Sequence, residues 1–271
     1  MKKPESPLKS VAEVLGAPPE LGMSLPSGVT CPFAGSACIK RGKSDEQPYP
    51  VCSVYQRATN TPIVVCPKRF NEVDIIADVA RHVWPNKDVA RLKLAREIKM
   101  DDFGNVDFVL SEIMEDGGVN DFVCIELQAI DITGTVRDAY DAIISGHEEI
   151  PKKSFGLNWK NVYKRYVYQL ISKGFYSHHW GTKIVSVLQQ DVYDYIKSDA
   201  KFPTTSDITS DQSNVIFMPY KMMWDGVRYK LTLGDVEATH HSNLQAAILY
   251  KTPPDRKKFV ARIEETLRRQ N

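Results

Sequence analysis

The stretch 104–136, GNVDFVLSEIMEDGGVNDFVCIELQAIDITGTV, holds two apolar runs that carry acids where a buried strand should be wholly hydrophobic. Asp107 interrupts NVDFVL, and Glu126 with Gln128 interrupts DFVCIELQAI. An unpaired buried carboxylate costs more than strand propensity returns. Acids placed in this way point to a metal or a reaction, and the fold must bring the two runs together around them. Side chains two apart on a strand share a face, so Glu126 and Gln128 point together. A turn centred near Gly117 and Gly118 sets Asp107 opposite Gln128 and Val109 opposite Glu126. All three polar side chains then share one face, and a slip of one residue would separate them. Glu97 is a further candidate, from the strand-like ARLKLAREIKM; its side depends on the DDFG turn that follows.

The flanks of this stretch set the fold class. FNEVDIIADVARHVW spaces its apolar residues as a helix packed on one side, ending before Pro85. TGTVRDAYDAIISG reads as another helix, giving the order α–β–β–β–α. This is an α/β (α+β) arrangement, a mixed central sheet flanked by helices. With 271 residues, 42% of them hydrophobic, the chain can bury one sizeable core and carry a small appendage. Further on, SFGLNWKNVYKRYVYQLISKG reads as a capped helix, GTKIVSVLQQ as a buried strand and DVYDYIKS as a helix. NVIFMPYKMMWDGVRYKLTLGDVEAT supplies two or three strands around an Asp225-Gly226 turn, and a terminal helix closes the chain.

The first seventy residues differ in character. After a proline-rich start with one short helical pattern, SVAEVLG, four of the five cysteines fall close together: Cys31, Cys38, Cys52 and Cys66. The Pro, Gly, Ser and Asn around them cannot build a core. In a reducing compartment a disulfide framework is not expected, and a tetrahedral thiolate site for zinc or iron is the physical alternative. Residues 1–69 therefore read as an N-terminal segment with a four-cysteine metal-binding module, and 70–271 as the catalytic domain. Cys124, inside FVCIELQ, reads as core. No apolar signal segment or membrane-length run is seen, so a cytoplasmic location with no membrane partner is expected.

Paired carboxylates on a strand suit hydrolysis of a phosphodiester with a hard divalent cation. Asp107, Glu126 and the carbonyl of Leu127 are the donors expected to bind Mg²⁺, which keeps waters and a phosphate oxygen in its other positions. Gln128 cannot act as a base, but it can orient the attacking water or the phosphate. The net charge is +1, so any affinity for a polyanion must come from local basic patches. Lys160, Lys164, Arg165 and Lys173, interleaved with Trp159, Tyr163, Tyr166 and Tyr168, form one such pattern. His178-His179 and His240-His241 read as surface or hydrogen-bonded residues.

The order Asp107, eighteen residues, Glu126-x-Gln128 resembles the PD-(D/E)xK nuclease fold, with Val106 in place of Pro and Gln128 in place of Lys. Together, GNVDFVL, IELQAIDITGTV and the upstream cysteines resemble NotI-type restriction endonucleases over roughly residues 30–185. That resemblance implies a type II restriction endonuclease: Mg²⁺-dependent, cutting both strands of a palindromic DNA site, which is GC-rich for some relatives. It also implies a structural iron in the cysteine module, a homodimer on double-stranded DNA and a cognate DNA methyltransferase in the same system. The competing expectations are a structure-directed repair nuclease of the same fold and a non-catalytic DNA-binding protein stabilised by its metal.

Overall fold

The computed structural model describes residues 6–25, 29–42, 47–150, 155–251, 253 and 255–270. Near the N-terminus, β1 (Val11–Val14), β2 (Val51–Gln56) and β3 (Thr61–Val64) form a small antiparallel sheet in that order. The helical expectation for SVAEVLG is therefore corrected, because this segment is strand β1. All four β1 residues are buried, so both of its faces are covered, and its backbone is paired to β2. A single helical turn here would leave one side in solvent.

After α1 (Ile75–Val83), with Asp74 capping its first turn, the chain runs up and down through β4 (Leu92–Lys99), β5 (Asn105–Ile113) and β6 (Val119–Gln128). Next come β7 (Ile132–Gly134), α2 (Arg137–Ile144) and β8 (Phe155–Leu157). A continuous helical stretch follows: α3 (Trp159–Asn161), a π-helical segment Val162–Val167 and α4 (Tyr168–His179). The remaining elements are β9 (Ile184–Gln189), α5 (Gln190–Ala200), β10 (Val215–Trp224), β11 (Tyr229–Leu233), β12 (Glu237–Thr239), α6 (His241–Leu249) and α7 (Arg256–Gln270). FGL pairs with β7 as a strand rather than opening the helix, and Ser154, its expected cap, lies outside the described residues. Helix α6 was not legible in the sequence.

The main sheet is mixed, with strand order β11-β10-β9-β6-β5-β4 and β12 beside β10. β4, β5 and β6 are antiparallel neighbours, whereas β9 runs parallel to both β6 and β10. β9 reads IVSVLQ and is buried at every position, as expected of a central strand with parallel neighbours. One face packs on the Val162–His179 helical stretch and α5, through Val162, Tyr166, Leu170, Val192 and Ile196. The other packs on α1, through Ile75, Val79 and Val83. The N-terminal sheet fills its own core with α2, Val11, Val14 and Val54 sharing a cluster with Ala139, Ala142 and Ile143. Among the described residues no helix is long and apolar enough to cross a membrane.

Gly174 shows how closely α4 must approach its neighbours. A Cβ there would stand 3.0 Å from Val215 and 3.1 Å from His241, and its carbonyl accepts a hydrogen bond from Asn214 Nδ2 at 2.6 Å. The histidines expected at the surface gather here. The His178 ring lies 4.7 Å from His240 and 5.4 Å from His241, centroid to centroid. His241 is buried and approaches Asn214 Oδ1 through Nδ1, whereas His178 and His179 are exposed.

The N-terminal sheet is fastened to the main sheet by a buried guanidinium. Arg69 donates to Glu13 through Nε and Nη2 at 3.1–3.2 Å, to Glu72 at 2.6 Å and to the Tyr229 carbonyl of β11 at 2.9 Å. Ser53 Oγ completes the shell of Glu13 at 2.8 Å, and both ionic side chains are fully buried. Arg69→Ala leaves Glu13 buried without its partner and is expected to cost about 3–5 kcal/mol. A drop in thermal midpoint on the order of 10 °C is the expected calorimetric result. A second expectation concerns acid. Burial and the neighbouring histidines lower the His241 pKa from 6.5 to about 4. The unfolded chain therefore takes up this proton first as pH falls from 6.5 towards 4, and folding stability drops over that window by at most about 1.4 kcal/mol per pH unit. His241→Asn should flatten this limb in denaturant titrations; an unchanged slope would count against it.

Candidate active site

The two acidic runs lie side by side as expected, with a corrected register. The β5–β6 ladder pairs Phe108 with Ile125 and Val109 with Cys124, not Val109 with Glu126. The connection turns between Met114 and Gly118 with Gly117 at φ +85°, and an irregularity follows between Glu112 and Ile113. The resulting shift is two residues from the expected register. An even shift keeps the same side chains on the same face. Extending the ladder one step sets Asp107 against Glu126 instead of Gln128.

That step is where the ladder stops. Past Phe108 and Ile125, the Leu127 N–H donates to Asp107 Oδ2 at 2.8 Å. β6 meanwhile continues in parallel pairing with β9, Glu126 beside Ser186 and Gln128 beside Leu188. The strands part at the carboxylates, and a side chain takes over a backbone hydrogen bond at the fork. Asp107 is half-buried and Glu126 buried. Burial raises the Asp107 pKa, with the Leu127 N–H and Lys173 opposing it. Burial likewise pushes the Glu126 carboxyl up to about 7, against the pull of Lys173.

Lys173 is the member of the site that sequence reasoning placed wrongly. Grouped with a basic, aromatic, DNA-facing pattern, it is instead 1% exposed, with Nζ 2.5 Å from Glu126 Oε1 and 2.6 Å from the Asn105 carbonyl. The signal was present in the helical period. Tyr166, Leu170, Lys173, Gly174 and Ser177 form the buried stripe of this helix, and the lysine lies within it. Tyr166, from the same pattern, is also buried, and its hydroxyl is hydrogen-bonded to Ser186 Oγ, next to Glu126 across β9. Lys160, Lys164, Arg165 and Tyr168 remain exposed on that helix, as the pattern requires of a surface that meets phosphate.

Glu97, on β4, lies across from Asp107 of β5, between the pairs Arg96–Phe108 and Ile98–Val106. Its φ is +52°, a left-handed conformation that costs a non-glycine residue on the order of 1 kcal/mol. Its exposed carboxylate accepts from Asn105 Nδ2 at 3.4 Å and adds to the negative charge felt by Asp107. Gln128 ends β6, half-buried, its amide turned to the Ala129 carbonyl. A cavity of about 520 Å³ is bounded by Ile98, Phe103, Val109, Phe122, Tyr176 and Trp180, and neither Asp107 nor Glu126 lines it.

Among the described residues no group of three or more His, Cys, Asp or Glu side chains is arranged to hold a metal ion. Asp107 and Glu126 offer two hard oxygen donors, with the Leu127 N–H bonded to the first. One or two carboxylates suffice for Mg²⁺ when water and substrate phosphate complete the shell. In the N-terminal region Cys31 and Cys52 are buried together with Phe33. Cys38 lies close enough to Cys66 and Cys31 for their charges to interact, as Cys52 does to Cys66. These thiols are soft donors of the kind zinc and iron take, but their arrangement among the described residues is not that of a formed metal site. Cys124 is core, as expected.

The family model described as restriction endonuclease NotI matches residues 25–231 of the 271, spanning the cysteine module, the carboxylate fork and α4. No curated protein matches the chain. The chain belongs to the NotI restriction endonuclease family, enzymes that cut DNA at specific sites.

Proposed function

We propose that this chain is a Mg²⁺-dependent type II restriction endonuclease with a PD-(D/E)xK core, acting as a homodimer on a short palindromic site in double-stranded DNA. The observation that carries the reading is the fork, where Asp107 and Glu126 meet on adjacent strands as β5 and β6 part. The antiparallel β4–β5–β6 unit joined to parallel β9, with helices on both faces, is the architecture such a core requires.

Asp107 and Glu126 would hold the ion, with the Leu127 carbonyl between them. A bound divalent ion acidifies a water and offsets charge developing on the scissile phosphate. Gln128, uncharged at either end, orients the attacking water or a phosphate oxygen. Glu97 adds a second, outer carboxylate. Residues 70–271 carry catalysis and DNA contact, and the cysteine module within 1–69 holds iron or zinc and supports the DNA-reading surface. One active site per chain and a two-fold symmetric substrate make a two-fold dimer the economical assembly. Such an enzyme needs a cognate methyltransferase to protect the host's own sites, and works in the cytoplasm where that DNA lies.

Asp107→Asn and Glu126→Gln are each expected to reduce cleavage at least a thousandfold while leaving specific DNA binding in Ca²⁺ within about threefold of wild type. Gel-shift and cleavage assays on one oligonucleotide separate the two effects. A DNA-binding protein without catalysis would show no loss, because there would be no cleavage to lose. Elemental analysis of the purified chain should find about one iron or zinc atom per chain. Cys52→Ala should release it, and a chain free of both metals would remove the structural-metal role.

A further inference from the structure

Lys173 has no assigned part in this reading, and its placement is costly. Taking an ammonium out of water costs several kcal/mol. Its neighbours on the buried stripe are Leu170, Gly174 and Ser177, among which an apolar side chain of similar length would pack without that cost. Among the described residues the ammonium reaches one carboxylate, Glu126 Oε1 at 2.5 Å, and is anchored by the Asn105 carbonyl at 2.6 Å. Asn105 is the first residue of β5, two before Asp107, so Lys173 ties together the two strands that part at the fork. Its charge also acts on Asp107. Gln128, the nearest polar side chain further along β6, brings no charge of its own.

We propose that Lys173 is a built-in cation of the active site. As a positioning residue, it fixes Glu126 by one oxygen and leaves the other oxygen, with Asp107, to receive a single divalent ion. The place of a second metal ion is taken by an ammonium delivered from α4. This inference rests on the carboxylate pair being the metal site. It predicts an opposition that a merely structural lysine would not produce. Removing one positive charge from beside two carboxylates strengthens their attraction for a divalent cation. It also frees Glu126 to leave the geometry that cleavage needs.

The test is Mn²⁺ titration of the DNA-free protein by calorimetry and electron paramagnetic resonance, with the cysteine module already loaded, alongside cleavage assays. Wild type is expected to bind one Mn²⁺ per chain, and Lys173→Arg should do the same. Lys173→Met is expected to bind Mn²⁺ at least tenfold more tightly, or to take a second ion, while cleaving at least a hundredfold more slowly. Mn²⁺ binding unchanged or weakened in Lys173→Met would overturn the proposal. Should that variant fail to unfold cooperatively on heating, wild-type stoichiometry decides alone: one ion supports the proposal and two overturn it. Loss of Mn²⁺ binding in Asp107→Asn keeps the two readings distinct. If Asp107→Asn binds Mn²⁺ as wild type does, the carboxylate site itself is wrong. If it does not and Lys173→Met is normal, only the role of Lys173 fails.

Discussion

A buried ion pair between Glu126 and Lys173 joins the sheet to the helical layer, and the geometry of the candidate site depends on it. Either charge alone would be expensive at that depth. Together they are tolerated because the ammonium also meets the Asn105 carbonyl and the neighbouring Asp107 carboxylate finds the Leu127 N–H. The consequence is an unusual economy of backbone bonding. The β5–β6 ladder ends one step before the acids, and polar side chains replace the missing bonds. A sheet that opens in this way presents carboxylates at the end of rigid strands, where packing on both faces holds them still.

A second buried ionic centre does the corresponding work at the N-terminal side. Arg69 links Glu13 of β1, Glu72 and the β11 backbone, and its guanidinium also lies over the Phe33 ring beside Cys31. The cysteine module is thereby tied to the main sheet through a side chain with fixed fork geometry, which lysine could not reproduce, and Gln189 of β9 adds hydrogen bonds with the Val64 N–H and the Pro62 carbonyl of β3. The matched span begins at residue 25, ahead of the first cysteine, and ends at 231 within β11. It therefore includes the carboxylate fork, Lys173 and Arg69, whereas Glu13 of β1 lies ahead of it.

Much of this was legible in the sequence, for physical reasons that differ by element. The acids in NVDFVL and CIELQ were conspicuous because burial of charge is costly, and strand parity survived even though the register moved by two residues. β9 announced itself as an apolar run interrupted only by Ser186, and Asp225-Gly226 as a turn. What failed did so where tertiary contacts outweigh local pattern. SVAEVLG carries a helix-like spacing, yet a partner strand and the Glu13–Arg69 pair make it β1. The turn between β5 and β6 tightened around Gly117 in a way that no two-glycine motif specifies. Lys173 was misread because a lysine among tyrosines suggests a surface, although its helical phase already placed it inside. The left-handed Glu97 had no sequence signal, since only the packed sheet can hold that conformation.

The most direct measurement of the central claim is incubation of the purified protein with Mg²⁺ and a long DNA of known sequence, followed by mapping of the ends. Cleavage into discrete fragments whose ends share one two-fold symmetric sequence, abolished by chelation of the divalent ion, is the result expected of a carboxylate pair that serves a site-specific restriction enzyme. Intact DNA across a range of divalent ions, or ends scattered without a common sequence, would contradict it.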